Sequence, residues 1–176
     1  MKFNSDESIN ALKNAMEKEK AAEDFYSEKS QEIENPAVKN IFIDLATDEH
    51  KHFVMVGELT EQAESGGSSE ISLPAPTDAK SRVEGTINKF KDRSLPELTD
   101  NTSVREALTF ALEIERMSFN NYSQAAADSE DSEIAAVYRF LAGEENKHYI
   151  IIDNTLDFID VQDRWIYEEE NLIFRL

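Results

Sequence analysis

Apolar residues recur at three- and four-residue steps along two long stretches of the chain. One carries Val38, Ile41, Leu45, Val56, Leu59 and Ala63; the other carries Ile134, Val137, Leu141, Ile152, Leu156 and Ile159. That period places each set on one face of an α-helix and turns both faces toward a shared core. Two further stretches show shorter versions, Ile9, Leu12, Met16 and Tyr26, then Leu108, Leu112 and Tyr122. Punctuation bounds them. Ser5-Asp6-Glu7 opens the first, Asn35-Pro36 reads as an N-cap with proline at the first helical position, and Ser103 with Glu106 reads as a capping box. Asp128-Ser129-Glu130-Asp131-Ser132 separates the last two. The predicted helices are 5–33, 36–64, 103–127 and 132–160.

Residues 65–100 connect the second helix to the third, and an ordinary helix–helix loop has only about 2–8 residues. A helix of about 28 residues is roughly 42 Å long, a distance that some 12 extended residues cross. The segment can therefore run the length of a bundle, and helix three is expected to start at the end where helix one starts. Val83, Ile87 and Phe90 suggest a short helix on the way. Up–down, crossover, up–down is the connectivity of a ferritin-like four-helix bundle. The expected architecture is one all-α domain over 1–176: helix pair 5–64, crossover 65–100, helix pair 103–160 and tail 161–176.

Composition narrows the class. Five Gly and four Pro in 176 residues suit long uninterrupted helices, and 40% hydrophobic residues suffice for a core. Eighteen Lys plus Arg against 37 Asp plus Glu give a net charge of −19, which disfavours nucleic acid and anionic membrane surfaces. No apolar run approaches the roughly 20 residues of a membrane span, and Met1 to Ser5 begin no secretory signal, so a cytoplasmic protein is expected. With no Cys, thiolate zinc sites and iron–sulfur clusters within this chain are excluded.

The informative residues interrupt the stripes. In helix two Glu49 and His52 stand between Leu45 and Val56; in helix four Glu145 and His148 stand between Leu141 and Ile152. Helix one places Glu19 between Met16 and Tyr26, and helix three places Glu115 between Leu112 and Tyr122. A buried, unpaired carboxylate costs on the order of several kcal/mol, and four in one core repel each other. A pair of divalent cations neutralises four carboxylates and also uses both imidazoles. Mixed carboxylate and imidazole ligation suits two iron ions, with manganese or zinc as alternatives.

The spacing repeats. Glu19 to Glu49 and Glu115 to Glu145 both span 30 residues, and a shift of 96 maps Glu19, Tyr26, Glu49 and His52 onto Glu115, Tyr122, Glu145 and His148. The same shift matches Ala11, Leu12, Ala15, Leu45, Ala46 and Lys51 with Ala107, Leu108, Ala111, Leu141, Ala142 and Lys147. A duplicated helix pair that keeps its ligands in both copies would build a near-symmetric dinuclear site, one metal taken mainly by each half.

The runs Glu19-x-x-Ala22-x-x-Phe25-Tyr26, Leu45-Ala46-Thr47-Asp48-Glu49-His50-Lys51-His52 and Leu141-Ala142-Gly143-Glu144-Glu145-Asn146-Lys147-His148 resemble the rubrerythrin branch of the ferritin-like superfamily, over about residues 5–160. The resemblance implies a non-haem di-iron centre that reacts with hydrogen peroxide or dioxygen. Glu49 and Glu145 resemble the carboxylates of the two ExxH motifs, and Glu19 and Glu115 those of the other helices. Tyr26 and Tyr122 resemble family tyrosines that hydrogen-bond carboxylates near the metals; by themselves they read equally well as core aromatics. Two departures stand out. Ser118 occupies the place of a further family Glu tied to movement of one iron, and the rubredoxin domain common in the family is not part of this sequence. An external donor, rubredoxin-like or a flavin reductase, is therefore expected.

Other polar residues are read as bystanders. His50, whose repeat counterpart is Asn146, is expected on the surface. Asp48 and Glu144 point about 100° away from the ligands and are expected as surface acids. Glu17 and Glu113 are expected at the surface or beside the ligands. The apolar tail around Trp165, Ile166, Tyr167 and Phe174 is expected to fold on its own bundle or on a second subunit of a homo-oligomer, most simply a dimer. Three functions compete: a rubrerythrin-like peroxidase, a ferroxidase that handles iron, and a helical protein merely stapled by metal.

Overall fold

The computed structural model describes residues 6–65, Leu73 and 102–162. Four helices make up nearly all of this: α1, Asp6–Glu32; α2, Pro36–Glu64; α3, Thr102–Asp128; and α4, Ser132–Gln162. Each lies within two residues of its predicted bounds. Asn35 caps α2 as expected, its side chain accepting from the backbone N–H of Ala37 at 3.0 Å and of Val38 at 3.2 Å, with Pro36 at the first helical position. Asp131 caps α4 in the same way, accepting from Glu133 N–H at 2.9 Å and Ile134 N–H at 3.3 Å. Helix α3 begins at Thr102, so Ser103 lies within its first turn.

Two apolar clusters fill the bundle, one toward each end. The first joins Tyr26 of α1, Ile33 just beyond its end and Val38, Phe42 and Leu45 of α2 to Val104, Leu108 and Ala111 at the start of α3 and Ile152 of α4. The second joins Leu12 and Ala15 at the start of α1 and Val56 and Leu59 near the end of α2 to Tyr122 late in α3 and Ile134, Val137 and Leu141 early in α4. Leu73 packs against this second cluster. Burying side chains of this size stabilises the fold by about 1.5–3 kcal/mol each.

The clusters fix the helix directions and correct one expectation. Helix α3 starts where α1 ends and α2 begins, rather than where α1 starts. The end of α2 lies at the starting end of α1, whereas α3 begins at the opposite end. Helices α1 and α3 are therefore antiparallel, and the two helix pairs are related by an approximate two-fold axis across the bundle. The chain is an all-α, ferritin-like four-helix bundle. The suggested short helix at Val83, Ile87 and Phe90 and the tail from 163 onward lie outside the described residues. No helix among the described residues is long and apolar enough to cross a membrane.

Candidate metal centre

Between the two apolar clusters lies a polar layer. Glu19, Glu49, Glu115, Glu145 and His148 are at most 3% exposed, and His52 is 6% exposed. Helical periodicity puts them there: Glu19 follows Leu12 and Ala15 on the buried face of α1, and Glu49 and His52 follow Leu45 and precede Val56 on α2. The duplication supplies the other half from α3 and α4.

Ligand atoms of Glu19, Glu49, His52 and Glu145 all lie within 4.8 Å of one another, as do those of Glu49, Glu115, Glu145 and His148. All six predicted residues thus come together. Glu49 and Glu145 belong to both groups, so they can span two cation positions. Glu19 with His52 would complete one position, and Glu115 with His148 the other. His52 Nδ1 is 3.2 Å from both Glu19 Oε2 and Glu49 Oε2. His148 Nδ1 is 2.9 Å from Glu49 Oε1 and 3.6 Å from Glu115 Oε1. The two imidazole rings stack, centroids 5.8 Å apart and 26° from parallel.

Several of these atoms are buried without a well-formed hydrogen bond: Glu49 Oε1, Glu115 Oε2 and both ring nitrogens of His148. Buried polar atoms are normally satisfied. Four carboxylates and two imidazoles converging with donors unspent fit a pair of cations in charge, donor type and burial.

In the protein alone, protons must do part of this work. Burial pushes the Glu19 carboxyl up to about 7, the hydrogen bond from His52 opposing it. Burial, joined by the Glu49 and Glu115 charges, pushes Glu145 well above the carboxylate range. Burial alone would also raise Glu49, but the facing His148 and His52 hold it below its ordinary value. Burial would lower His52, yet hydrogen bonds to Glu19 and Glu49 carry it up to about 9. For His148 the Glu115 and Glu49 charges overcome burial in the same way and raise it well above 6.5.

The tyrosines choose partners across the duplication. Tyr26 donates to Glu115 and Tyr122 donates to Glu19, both bonds short and buried. Each fixes one oxygen of a carboxylate that faces the cluster. Burial and these carboxylates raise both phenols, so both stay protonated donors.

Asp48 and Glu144 are not surface acids: each is only 7% exposed. At mid-bundle α2 and α4 each bury an arc wider than the ligand stripe, and 100° still falls inside it. Asp48 Oδ2 lies 3.6 Å from His148 Nε2, and Asp48 Oδ1 accepts from Lys51 Nζ at 2.9 Å. Glu144 pairs with Lys147, itself 8% exposed. Sequence reasoning missed this layer, although the repeat held the signal: an acid and a Lys three residues later flank the ligands in both copies. A carboxylate behind a ligating imidazole sets its tautomer and orientation. His50 is exposed as expected, its Nδ1 3.1 Å from Glu23 Oε1. Glu17 and Glu113 are exposed as well, the latter paired with Arg116.

Comparison with known proteins agrees with this geometry. A hypothetical protein from Pyrococcus furiosus is similar in structure, with a TM-score of 0.61 and 20% identity over 88% of this chain and 91% of that one. A dodecameric thioferritin, the bacterioferritin-related protein from Bacteroides fragilis, is similar with a TM-score of 0.57 and 15% identity over 92% of this chain and 91% of that one. At these identities the likeness speaks to the fold. No curated protein matches. The Rubrerythrin family matches residues 10–156, nearly the whole bundle with all six clustered side chains. On that match, and with four carboxylates and two imidazoles clustered in its core, the chain belongs to the rubrerythrin family.

Proposed function

We propose that Glu19, Glu49, His52, Glu115, Glu145 and His148 hold two iron ions and that the protein reduces hydrogen peroxide with electrons from a separate donor. The convergence of both duplicated ligand sets on one buried layer, with Glu49 Oε1, Glu115 Oε2 and both His148 ring nitrogens lacking a hydrogen-bond partner, carries this reading. Bound iron supplies the two electrons that, with two protons, take peroxide to two waters. The chain's own residues prepare that chemistry. Glu49 and Glu145 belong to both ligand groups and would hold two ions as a pair. Tyr26 ties back one oxygen of Glu115, whose other oxygen has no hydrogen-bond partner, and Tyr122 ties back one oxygen of Glu19, whose other oxygen faces His52. Asp48 steadies His148 from behind. The apolar clusters above and below keep bulk water from the layer.

Anaerobic iron loading followed by peroxide titration tests it. The expected result is two irons per chain and loss of the diferrous signal at one peroxide per pair, with a slower response to dioxygen. Peroxide consumption no faster than that of free iron sinks the reading. The likeness to a dodecameric thioferritin favours a second reading, in which the same centre oxidises iron for storage. That reading requires a cage-sized assembly and many irons oxidised per chain. A dimer holding two irons per chain supports the peroxidase instead. An oligomer, a donor of rubredoxin or flavin-reductase type and a cytoplasmic location complete the proposal.

A further inference from the structure

The duplication holds at the six clustered side chains and breaks in the residues around them. The shift of 96 maps Asp48 onto Glu144, Lys51 onto Lys147, Asp44 onto Phe140 and Lys18 onto Ile114. His148 turns Nδ1 toward Glu49 and Glu115, and behind it Asp48 Oδ2 lies 3.6 Å from Nε2. Asp48 also accepts from Lys51, but the Lys51 side chain is 67% exposed, so water screens its charge. On the His52 side the counterpart acid is neutralised in place. Glu144 pairs with Lys147, whose side chain is only 10% exposed. The ring beside His52 is that of Phe140, 6.2 Å away and at 86° to it.

A further cation stands on that same side. Lys18 Nζ lies 5.3 Å from the ring centroid of Tyr122, the tyrosine that donates to Glu19. Its counterpart in the other half is the apolar Ile114. The differences therefore share one sign. Glu115 and His148 gain a carboxylate behind the imidazole, whereas Glu19 and His52 gain an aromatic edge, a neutralised acid and an ammonium group.

We propose that the two cation positions are unequal and fill in order, Glu115 with His148 first and Glu19 with His52 second, so that the chain passes through a one-metal form. The proposal rests on the metal-centre reading above. Glu49 and Glu145 serve both positions and cannot discriminate between them; the outer groups do. A carboxylate behind a ligating imidazole fixes the ring and favours a cation on its far side. Asp48 does this for His148. Lacking such an outer partner usually weakens metal binding about 10–100-fold, which sets the expected gap between the positions. The consequence is regulatory. At metal concentrations between the two dissociation constants the chain holds a single ion, and chemistry that needs a pair is off.

The three histidines report the order directly. The metal-free full chain, labelled with ¹⁵N in its imidazoles, is titrated with Zn(II), a redox-inert divalent ion, and the ring nitrogen resonances are followed. The His148 shift is expected to be complete at one Zn(II) per chain and the His52 shift to follow between one and two, while the exposed His50 stays in place. Calorimetry adds the constants: His52→Ala is expected to keep the first binding step, and His148→Ala to weaken it at least about tenfold. Asp48→Asn keeps the shape but removes the charge, so both rings are expected to shift together. Circular dichroism verifies that each variant is folded. Simultaneous shifts in wild type, or His52 ahead of His148, overturn the order. So does a first step weakened more by His52→Ala than by His148→Ala, or an Asp48→Asn chain that fills His148 first by the wild-type margin. Wild type that takes up no Zn(II) sinks the metal-centre reading itself, whereas two equal positions sink only the order.

Discussion

The Tyr26 hydroxyl reaches across the bundle to Glu115, 89 positions away in sequence. Tyr122 repays the contact to Glu19, so each half of the duplication steadies a carboxylate of the other. The two helix pairs are thereby stitched through the polar layer as well as through the apolar clusters.

Removing one stitch has a defined outcome. Tyr26→Phe leaves a Glu115 oxygen buried without its donor, which costs about 1–3 kcal/mol in the metal-free protein. Denaturant unfolding under chelation measures the loss. Metal affinity is expected to fall about 10–100-fold, the usual effect of losing an outer partner of a ligand. Unchanged affinity would separate Tyr26 from the centre.

Glu49 belongs to both candidate positions and Glu19 to one. Glu49→Ala is therefore expected to lose both metals, and Glu19→Ala mainly one, each with its helical signal retained. Elemental analysis with circular dichroism reads both. Full metal content in Glu49→Ala would remove that carboxylate from the ligand set.

Asp48→Asn keeps the shape at Asp48 but removes the charge 3.6 Å from His148 Nε2. Metal affinity is expected to fall about 10–100-fold while the fold is kept. Isothermal titration against a redox-inert divalent ion isolates binding from turnover. A variant that binds like wild type would leave Asp48 as the partner of Lys51 alone.

The metal-free protein should lose stability as pH rises. Glu19, carried up to about 7 from 4.5, and Glu145, also raised, bind protons more tightly folded than unfolded. Their contribution is present below pH 4.5 and is lost as pH climbs through the raised values. His52, raised from 6.5 to about 9, loses its contribution between those values. Glu49 is lowered, so its contribution is present above 4.5 and fades as pH falls below that. Stability of the metal-free chain should therefore decline from about pH 4.5 to 9. Metal reverses the trend by displacing these protons, and saturation at 1,000 times its Kd adds about 4 kcal/mol. Thermal unfolding across pH with and without chelator checks the sign; a metal-free protein more stable at pH 9 than at pH 5 contradicts it.

Amino-acid order alone determined four helices, their bounds to within two residues, and the six side chains that share the core layer. Periodicity does this because a helix face that recurs every 3.6 residues is a local property, and the 96-residue shift showed that the ligand pattern occurs twice. Local periodicity carries no information about which helix faces which. The direction of α3, the crossed pairing of Tyr26 with Glu115 and the burial of Asp48 behind His148 were therefore decided only by packing. Each depends on a neighbour far along the chain. An acid set 100° from the ligand stripe is exposed on a lone helix and enclosed once a second helix lies against it.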